Sequence, residues 1–224
     1  MKTTGRISGI TANLVTVKVD GPVGQNEICY IKLGDVDVMA EVIKDIGDRV
    51  YVQVFDSTRS MKEGDPVEFA GHLLEVTLGP GILSRNYDGL QNDLEKMETL
   101  FIERGTRTEP LDFDALWDFT PLAKAGDKVA AGDWLGEVPE KFIRHKIMVP
   151  FSFRGEYTVK SVAGAGTYGV RDTVAVLVDE EGNERPVTMI QRWPVKLAVT
   201  AYKGKPRPYR IMETGVRAID TFNP

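Results

Sequence analysis

The sequence predicts a mainly β protein with a six-stranded N-terminal β-barrel, a second β-rich domain built from two similar halves, and one or two short helices between them. Three observations point to this fold class. Apolar and polar residues alternate with the period of strands. Gly-Asp pairs, which are typical of tight turns, recur between the alternating segments. The 22 Gly and 12 Pro residues are scattered singly, which indicates many short elements and disfavours an all-helical fold.

Residues 1–70 show the clearest strand pattern. Alternation is regular over 14–19, 36–43 and 50–55, and about six short strands can be counted. Closing six short strands into a barrel removes the exposed edges of an open sheet. We therefore expect a closed barrel over 1–70. The turn signals between its strands are Gly21-Pro22, Gly34-Asp35, Gly47-Asp48 and Gly64-Asp65.

Residues 71–116 are predicted to form a linker followed by a helix. The linker changes direction at Gly79-Pro80-Gly81. The helix is expected to begin with Asn92 as its N-cap and Glu95 completing a capping box, and to end at Gly105. Its apolar residues recur at helical spacing, so they are expected to dock on the barrel or on a neighbouring domain. These residues are Leu90, Leu94, Met97 and Phe101.

Residues 117–186 form the second β-rich unit. Gly126-Asp127 and Gly132-Asp133 are two turns six residues apart with apolar residues between them. A second half ends in a strand over 173–178 and a turn at 181–183. The pattern resembles the biotinyl and lipoyl carrier domains, which are barrel-sandwich hybrids. That resemblance implies a barrel-sandwich-like insertion domain over 117–186.

The charge of the chain is asymmetric. Its net charge is −5, yet residues 187–224 carry seven Lys or Arg against two acids, which leaves +5 there and −10 elsewhere. A basic tail could bind nucleic acid, but Pro194, Pro206 and Pro208 separate these charges and no motif repeats. The barrel segment 1–70 carries eight basic and eleven acidic residues. No nucleic-acid partner is therefore expected, although a nucleic-acid-binding small barrel remains an alternative.

Gly164 to Gly169 matches the dinucleotide-binding fingerprint letter for letter. A true fingerprint opens a helix whose N-terminus holds the pyrophosphate, whereas this segment leads directly into the strand predicted over 173–178. The same glycines resemble the start of a phosphate loop, but Val170 and Arg171 stand where Lys and Ser or Thr are needed. We expect no phosphate site here.

Other candidate residues also favour structural roles. Lys141 lies where a carrier domain presents its modified lysine, but the flanking residues of that motif are missing, so an unmodified surface lysine is expected. A biotinyl- or lipoyl-like carrier-domain protein that uses Lys141 is the alternative function. His72 and His145 are far apart and lack partners at metal-ligand spacing. Cys29 is the single cysteine and is expected to be a buried thiol. No catalytic, cofactor-binding or metal-binding residue is assigned.

Four segments together resemble the catalytic A subunit of the archaeal and vacuolar type of rotary ATPase, in the family's order. They cover nearly the whole chain. The second is similar to the family's Gly-Pro-Gly-Leu-Leu and Tyr-Asp-Gly-Ile-Gln motifs, and the third marks A subunits against non-catalytic B subunits. The segments are 51–69 at the end of the barrel, Leu78 to Gln91, 145–155 together with Thr188 to Val195, and Glu213 to Pro224.

The resemblance implies an N-terminal portion that stops before the phosphate-binding loop. The full-length parent would couple ATP hydrolysis or synthesis to proton or sodium transport, with ATP and Mg²⁺ bound downstream of residue 224. This portion alone is expected to be inactive. Its implied partners are the B subunits of the alternating hexamer and the central-stalk and peripheral-stalk subunits. With no apolar segment long enough to span a membrane, it is expected in the cytoplasm, at the inner face of the cell membrane through the complex.

Overall fold

The computed structural model describes residues 2–97, 101–201, 204, 207, 209–210 and 212–222. Its N-terminal strands are antiparallel and close into a barrel in the order β1-β2-β5-β4-β3-β6. The predicted closed six-stranded barrel is confirmed. The strands are Thr4–Thr11 (β1), Leu14–Val19 (β2), Glu27–Leu33 (β3), Val36–Ile46 (β4), Arg49–Val54 (β5) and Pro66–Leu73 (β6).

Alternating valines fill the barrel. On β2, Val15 and Val17 lie opposite Val52 and Val50 of β5, and none of the four side chains is exposed. Since successive side chains of a strand point to opposite faces, the alternation in the sequence becomes an apolar interior. Cys29 belongs to the same core, where burial raises the pKa of its thiol.

Ten strands follow the barrel in the described part of the chain and build the second β-rich unit. Two four-stranded sheets have the orders β11-β10-β8-β13 and β15-β14-β12-β9, and β7 pairs only with β16. The second β-rich domain is therefore confirmed. The strands are Glu75–Leu78 (β7), Leu116–Pro121 (β8), Lys128–Ala130 (β9), Trp134–Glu140 (β10), Ile143–Met148 (β11), Glu156–Val162 (β12), Gly166–Gly169 (β13), Ala175–Val178 (β14), Glu184–Val187 (β15) and Gln191–Pro194 (β16).

Two buried clusters hold the insertion together. In the first, Leu135 of β10 packs with residues of the other sheet, among them Val159 and Leu177. In the second, Phe119 of β8 packs with Val138 and other apolar residues. Because β10 contributes to both clusters, it joins the two sheets.

The predicted helix from Asn92 to Gly105 is wrong for the described residues. One turn of 3₁₀ helix, Leu94–Lys96, takes its place, and its N-cap is Asp93 instead of Asn92. Phe101 is 82% exposed, so the predicted docking stripe does not form. Residues 98–100, which the prediction placed inside the helix, lie outside the described residues.

Local polar contacts explain this error. Asn92 donates through Nδ2 to Asp88 at 2.8 Å and accepts from the Thr108 N–H at 2.9 Å. Short polar side chains that bond to nearby groups compete with helix formation. Gly105 has φ of +75° and packs against the barrel, where an added Cβ would lie 2.5 Å from Val36 Cγ1.

The C-terminal part holds a short helix, Arg217–Phe222 (α1). Several residues of the predicted basic tail and of the fourth family-like segment lie outside the described residues: Lys203, Lys205, Pro206, Pro208, Asn223 and Pro224. Within the described part of the chain, the search for a helix with the length and apolar character of a membrane span finds none.

Candidate functional site

The barrel and the insertion meet at a junction formed by residues 74–93, 104–110, 140–145 and 191–196. At its centre, β7 leads the chain into the insertion and β16 leads it out, with Leu78 opposite Gln191 and Glu75 opposite Pro194. The Val195 N–H extends this ladder by donating to the Leu74 carbonyl at 2.9 Å. The two ends of the insertion are therefore held side by side.

A buried carboxylate ties the insertion to the Gly-Pro-Gly loop of the junction. Glu140, at the end of β10, is 3% exposed. Its Oε1 accepts the N–H groups of Gly81 at 2.8 Å and Leu83 at 3.0 Å. Its Oε2 lies 2.6 Å from Nδ1 of His145 on β11. A buried carboxylate is stable only when such donors replace water, so these contacts fix the loop against the β10–β11 hairpin.

A second buried carboxylate continues the network. Asp93 is fully buried, and its Oδ2 lies 2.5 Å from Nη1 of Arg85. The Nε of Arg85 donates to the Gly81 carbonyl at 3.0 Å, and the Asp93 N–H donates to Thr108 Oγ1 at 2.5 Å. Polar contacts thus run from the insertion hairpin through the loop to residue 108.

Two glutamine side chains form hydrogen bonds with backbone groups beside the β7–β16 ladder. Gln91 accepts from the Thr77 N–H and donates to the Thr77 carbonyl, both at 2.7 Å. Gln191 accepts from the Phe151 N–H at 3.0 Å. Since an unpaired strand edge invites pairing with another chain, the Gln91 amide blocks β7 by imitating a neighbouring strand.

The barrel side of the junction is joined by polar contacts as well. Asp56 accepts the Gly105 N–H at 3.0 Å. Lys196, just after β16, places Nζ 2.5 Å from Oε1 of Glu41, a side chain of β4 that is 6% exposed. Lys196 therefore compensates a charge that the barrel would otherwise bury unpaired.

Tyr87, a titratable residue of the junction, is engaged in a hydrogen bond. Burial and the nearby Asp93 charge raise the pKa of Tyr87, whose hydroxyl donates to the Pro110 carbonyl at 2.6 Å. Tyr87 is thus neutral at physiological pH and already engaged. Among the described residues, no three His, Cys, Asp or Glu side chains form a group that could hold a metal ion.

The glycine segment that matches the dinucleotide fingerprint forms a strand and a tight turn. Gly166–Gly169 forms β13 and pairs with β8. After it, the Gly169 N–H donates to Asp172 Oδ2 at 2.8 Å in a tight turn, so no helix N-terminus follows the glycines. Asp179 belongs to a turn in which its Oδ1 accepts the Asn183 N–H at 2.8 Å. Backbone and side-chain bonds from Asn183 lower the pKa of Asp179.

Lys141 lies in the turn between β10 and β11 with φ of +52°. It follows the buried Glu140 and precedes Phe142, which is 86% exposed. His72 lies at the end of the barrel, where its Nδ1 contacts the Leu73 carbonyl at 2.8 Å. The two histidines, His72 and His145, make separate contacts.

The sequence interpretation missed Glu140, Asp93 and Lys196. A signal for Glu140 was present, because Val138 and Glu140 share one face of β10 and Val138 is an apolar residue expected to point inward. An inward-facing carboxylate requires partners. Its backbone partners, however, lie 57 and 59 residues away, and no local pattern identifies them.

The family model for the β-barrel domain of the ATP synthase alpha/beta family matches residues 7–71. A second model, the barrel-sandwich domain of the ATP synthase alpha/beta subunit, matches residues 108–196. These matches coincide with the two β units of the structure. The chain belongs to the ATP synthase alpha/beta family.

Relatives within this family are similar over the whole chain. The V-type ATP synthase alpha chain of Borrelia recurrentis is 45% identical over 227 residues, covering 100% of this chain and 39% of the relative. The corresponding alpha chain of Treponema denticola is 43% identical over 226 residues, covering 100% of this chain and 38% of the relative. The chain therefore spans about two fifths of the length of these relatives. The carrier-domain and nucleic-acid-binding alternatives find no support in these comparisons.

Proposed function

We propose that this chain is the N-terminal assembly portion of the catalytic A subunit of a V/A-type ATP synthase. The observation that carries the proposal is the order of its units. A barrel over 7–71 precedes a barrel-sandwich domain over 108–196, and both match alpha/beta subunit models. The full chain aligns with V-type ATP synthase alpha chains at 42–45% identity.

Four consecutive parts of the chain have separate proposed roles. Residues 1–70 would form the assembly barrel, 71–116 the connection, 117–186 the insertion domain, and 187–224 the lead-in to the nucleotide-binding domain. The parent subunit would couple ATP hydrolysis or synthesis to proton or sodium transport by rotation, with ATP and Mg²⁺ bound beyond residue 224. We assign no catalytic, cofactor or metal residue within this chain, which we propose is inactive by itself.

The proposed partners are other subunits of the complex. The closed barrel would alternate with the barrels of B subunits in a ring, and the insertion would project outward toward the peripheral stalk, with the central stalk inside the ring. The complex would lie on the cytoplasmic face of the cell membrane. Nucleic acid is not among the proposed partners.

Sedimentation velocity of the chain with the B subunit of the same organism tests this assignment. We expect the chain alone to be monomeric or weakly associating and an equimolar mixture to form a heteromer, because the ring alternates unlike subunits. Phe142→Glu, at the tip of the insertion, is the control and is expected to bind equally. A stable hexamer of the chain alone at low micromolar concentration, or no heteromer, would contradict the assignment. Loss of binding in the control would place the contact on the insertion.

A further inference from the structure

A cleft of about 420 Å³ opens between the barrel and the insertion. Tyr30 and Phe55 belong to its barrel wall, and Phe113 and Arg171 to its insertion wall. This volume lies in the range of small-molecule sites, which combine apolar walls with a few convergent polar groups. The cleft thus has the size to hold a compact ligand.

Three arginines are among the polar residues of this cleft. Arg107, Arg171 and Arg192 all line it, and each is exposed. Across the described chain, no carboxylate oxygen lies within 4 Å of their guanidinium nitrogens. Their charges are therefore not neutralised by an ion pair of the described chain and remain available to a ligand.

Aromatic rings position two of these guanidinium groups. Arg107 Cζ lies 4.8 Å from the ring centroid of Tyr30, and Arg171 Cζ lies 4.0 Å from that of Phe113. Stacking occupies the face of a guanidinium and leaves its N–H edge free for oxygen acceptors. It also restricts the rotamers of a long side chain, which lowers the entropic cost of binding.

Carboxylates also line the cleft, and two of them are already engaged. Asp37 lies 2.6 Å from the ammonium group of Lys32, and Asp56 accepts the N–H groups of Ser57 and Gly105. Backbone donors leave the charge of Asp56 in place, and Glu75 and Glu109 also line the cleft, so three carboxylates balance the three arginines. A ligand must therefore compete with these carboxylates for the guanidinium groups, which favours an anion carrying more than one negative charge.

We propose that this cleft binds a compact polyanion whose recognised chemistry is the phosphate group, held by Arg107, Arg171 and Arg192. Guanidinium edges match phosphate oxygens in bidentate geometry. This site goes beyond the assembly function, and its recognition needs no metal and no base. Its ligand could be a free phosphate compound or the phosphate moiety of a nucleotide.

Amide-shift titrations with pyrophosphate, magnesium-free ADP and adenosine distinguish these two sources of phosphate. The titrations are run at constant ionic strength near 0.15 M, where the screening length is about 8 Å. We expect saturable, millimolar binding of pyrophosphate, similar binding of ADP, and none of adenosine. The amides of Gly105 and Thr106, which line the cleft, should shift. Much tighter binding of ADP would assign the site to nucleotides and overturn recognition of phosphate alone.

Single substitutions locate the site. Arg107→Gln, Arg171→Gln and Arg192→Gln should each weaken pyrophosphate binding at least about fivefold, since each removes a charge-assisted hydrogen bond. Arg154→Gln is the matched control, because Arg154 is exposed and lies outside the cleft. Thermal unfolding midpoints verify that every variant is folded. Absence of saturable binding, or an equal loss in the control, would overturn the proposal, and neither result bears on assembly with B subunits.

Discussion

At the scale of single residues, Glu140 makes the most consequential contact in the junction. One buried carboxylate satisfies two backbone N–H groups and a histidine from two separate parts of the chain. Removing it would leave donors without a partner in a poorly hydrated place, and an unmet buried group costs more than a formed hydrogen bond contributes. The junction loop therefore depends on this side chain.

Glu140→Ala should lower the free energy of unfolding by about 3 kcal/mol, because it strands partly buried N–H groups and breaks a buried charged contact. Glu140→Gln keeps an acceptor oxygen and should cost about half as much. Urea denaturation measures both. Glu184→Ala is the control: it breaks the exposed pair with Lys160 and should cost less than about 1 kcal/mol. Equal losses of unfolding free energy in Glu140→Ala and Glu184→Ala would show that the buried network stabilises the protein no more than an exposed ion pair does.

At the scale of elements, strand β10 joins both sheets, and its approach to β8 requires glycine. A Cβ on Gly136 would lie 2.2 Å from two ring atoms of Phe119 and 2.9 Å from the Thr120 carbonyl oxygen. Phe119 is 1% exposed and held by its cluster. The ring therefore has little room to move away.

Gly136→Ala should destabilise the protein by about 2–3 kcal/mol through overpacking. Gly164→Ala is the matched control, because no atom lies within 4 Å of its added Cβ and a compatible Gly→Ala change alters stability by less than about 1 kcal/mol. Thermal denaturation compares the two. A Gly136→Ala protein as stable as wild type would contradict the close packing of β10 against β8.

The sequence was sufficient to predict elements whose signal is local. The valines of β2 and β5 alternate in the chain and in the barrel. The helix predicted over 92–105 does not form, although its apolar residues have helical spacing. Hydrogen bonds with Asp88, Arg85 and Thr108 hold the segment in another conformation. The pairing of β7 with β16 joins residues more than 110 positions apart. Short-range sequence patterns therefore cannot predict it.

At the scale of the whole molecule, the buried contacts of the second β-rich unit include residues outside 117–186. Met189 is 4% exposed and belongs to a core cluster, and Val187 pairs with Ala175. The β7–β16 ladder also lies outside those bounds. A separable unit built from these contacts would cover 75–195.

Residues 75–195 expressed alone should give a dispersed amide spectrum, because both clusters and the ladder are retained. Residues 117–186 should unfold at a lower urea concentration, since losing buried apolar side chains such as Val187 and Met189 costs about 2–5 kcal/mol for each large one. Comparison of the two fragments by nuclear magnetic resonance and denaturation tests the two-unit proposal. A collapsed spectrum for 75–195 would show that the insertion depends on the barrel.

We propose that this chain contributes assembly and not ATP chemistry. Tight binding of magnesium triphosphate requires backbone N–H groups at a helix N-terminus, a lysine on the β- and γ-phosphates, and a ligand for the metal. The described residues bring no such set together, and the arginine cleft supplies charge alone. Exposed charges at physiological salt are screened and contribute little.

Calorimetry with magnesium ATP near 0.15 M salt, where the screening length is about 8 Å, is the decisive experiment for this proposal. We predict binding no tighter than millimolar, the same with and without magnesium, and weakened at least about fivefold by Arg171→Gln. No phosphate should be released from ATP. A micromolar isotherm that depends on magnesium would contradict the account, because it would place a nucleotide site within the chain itself.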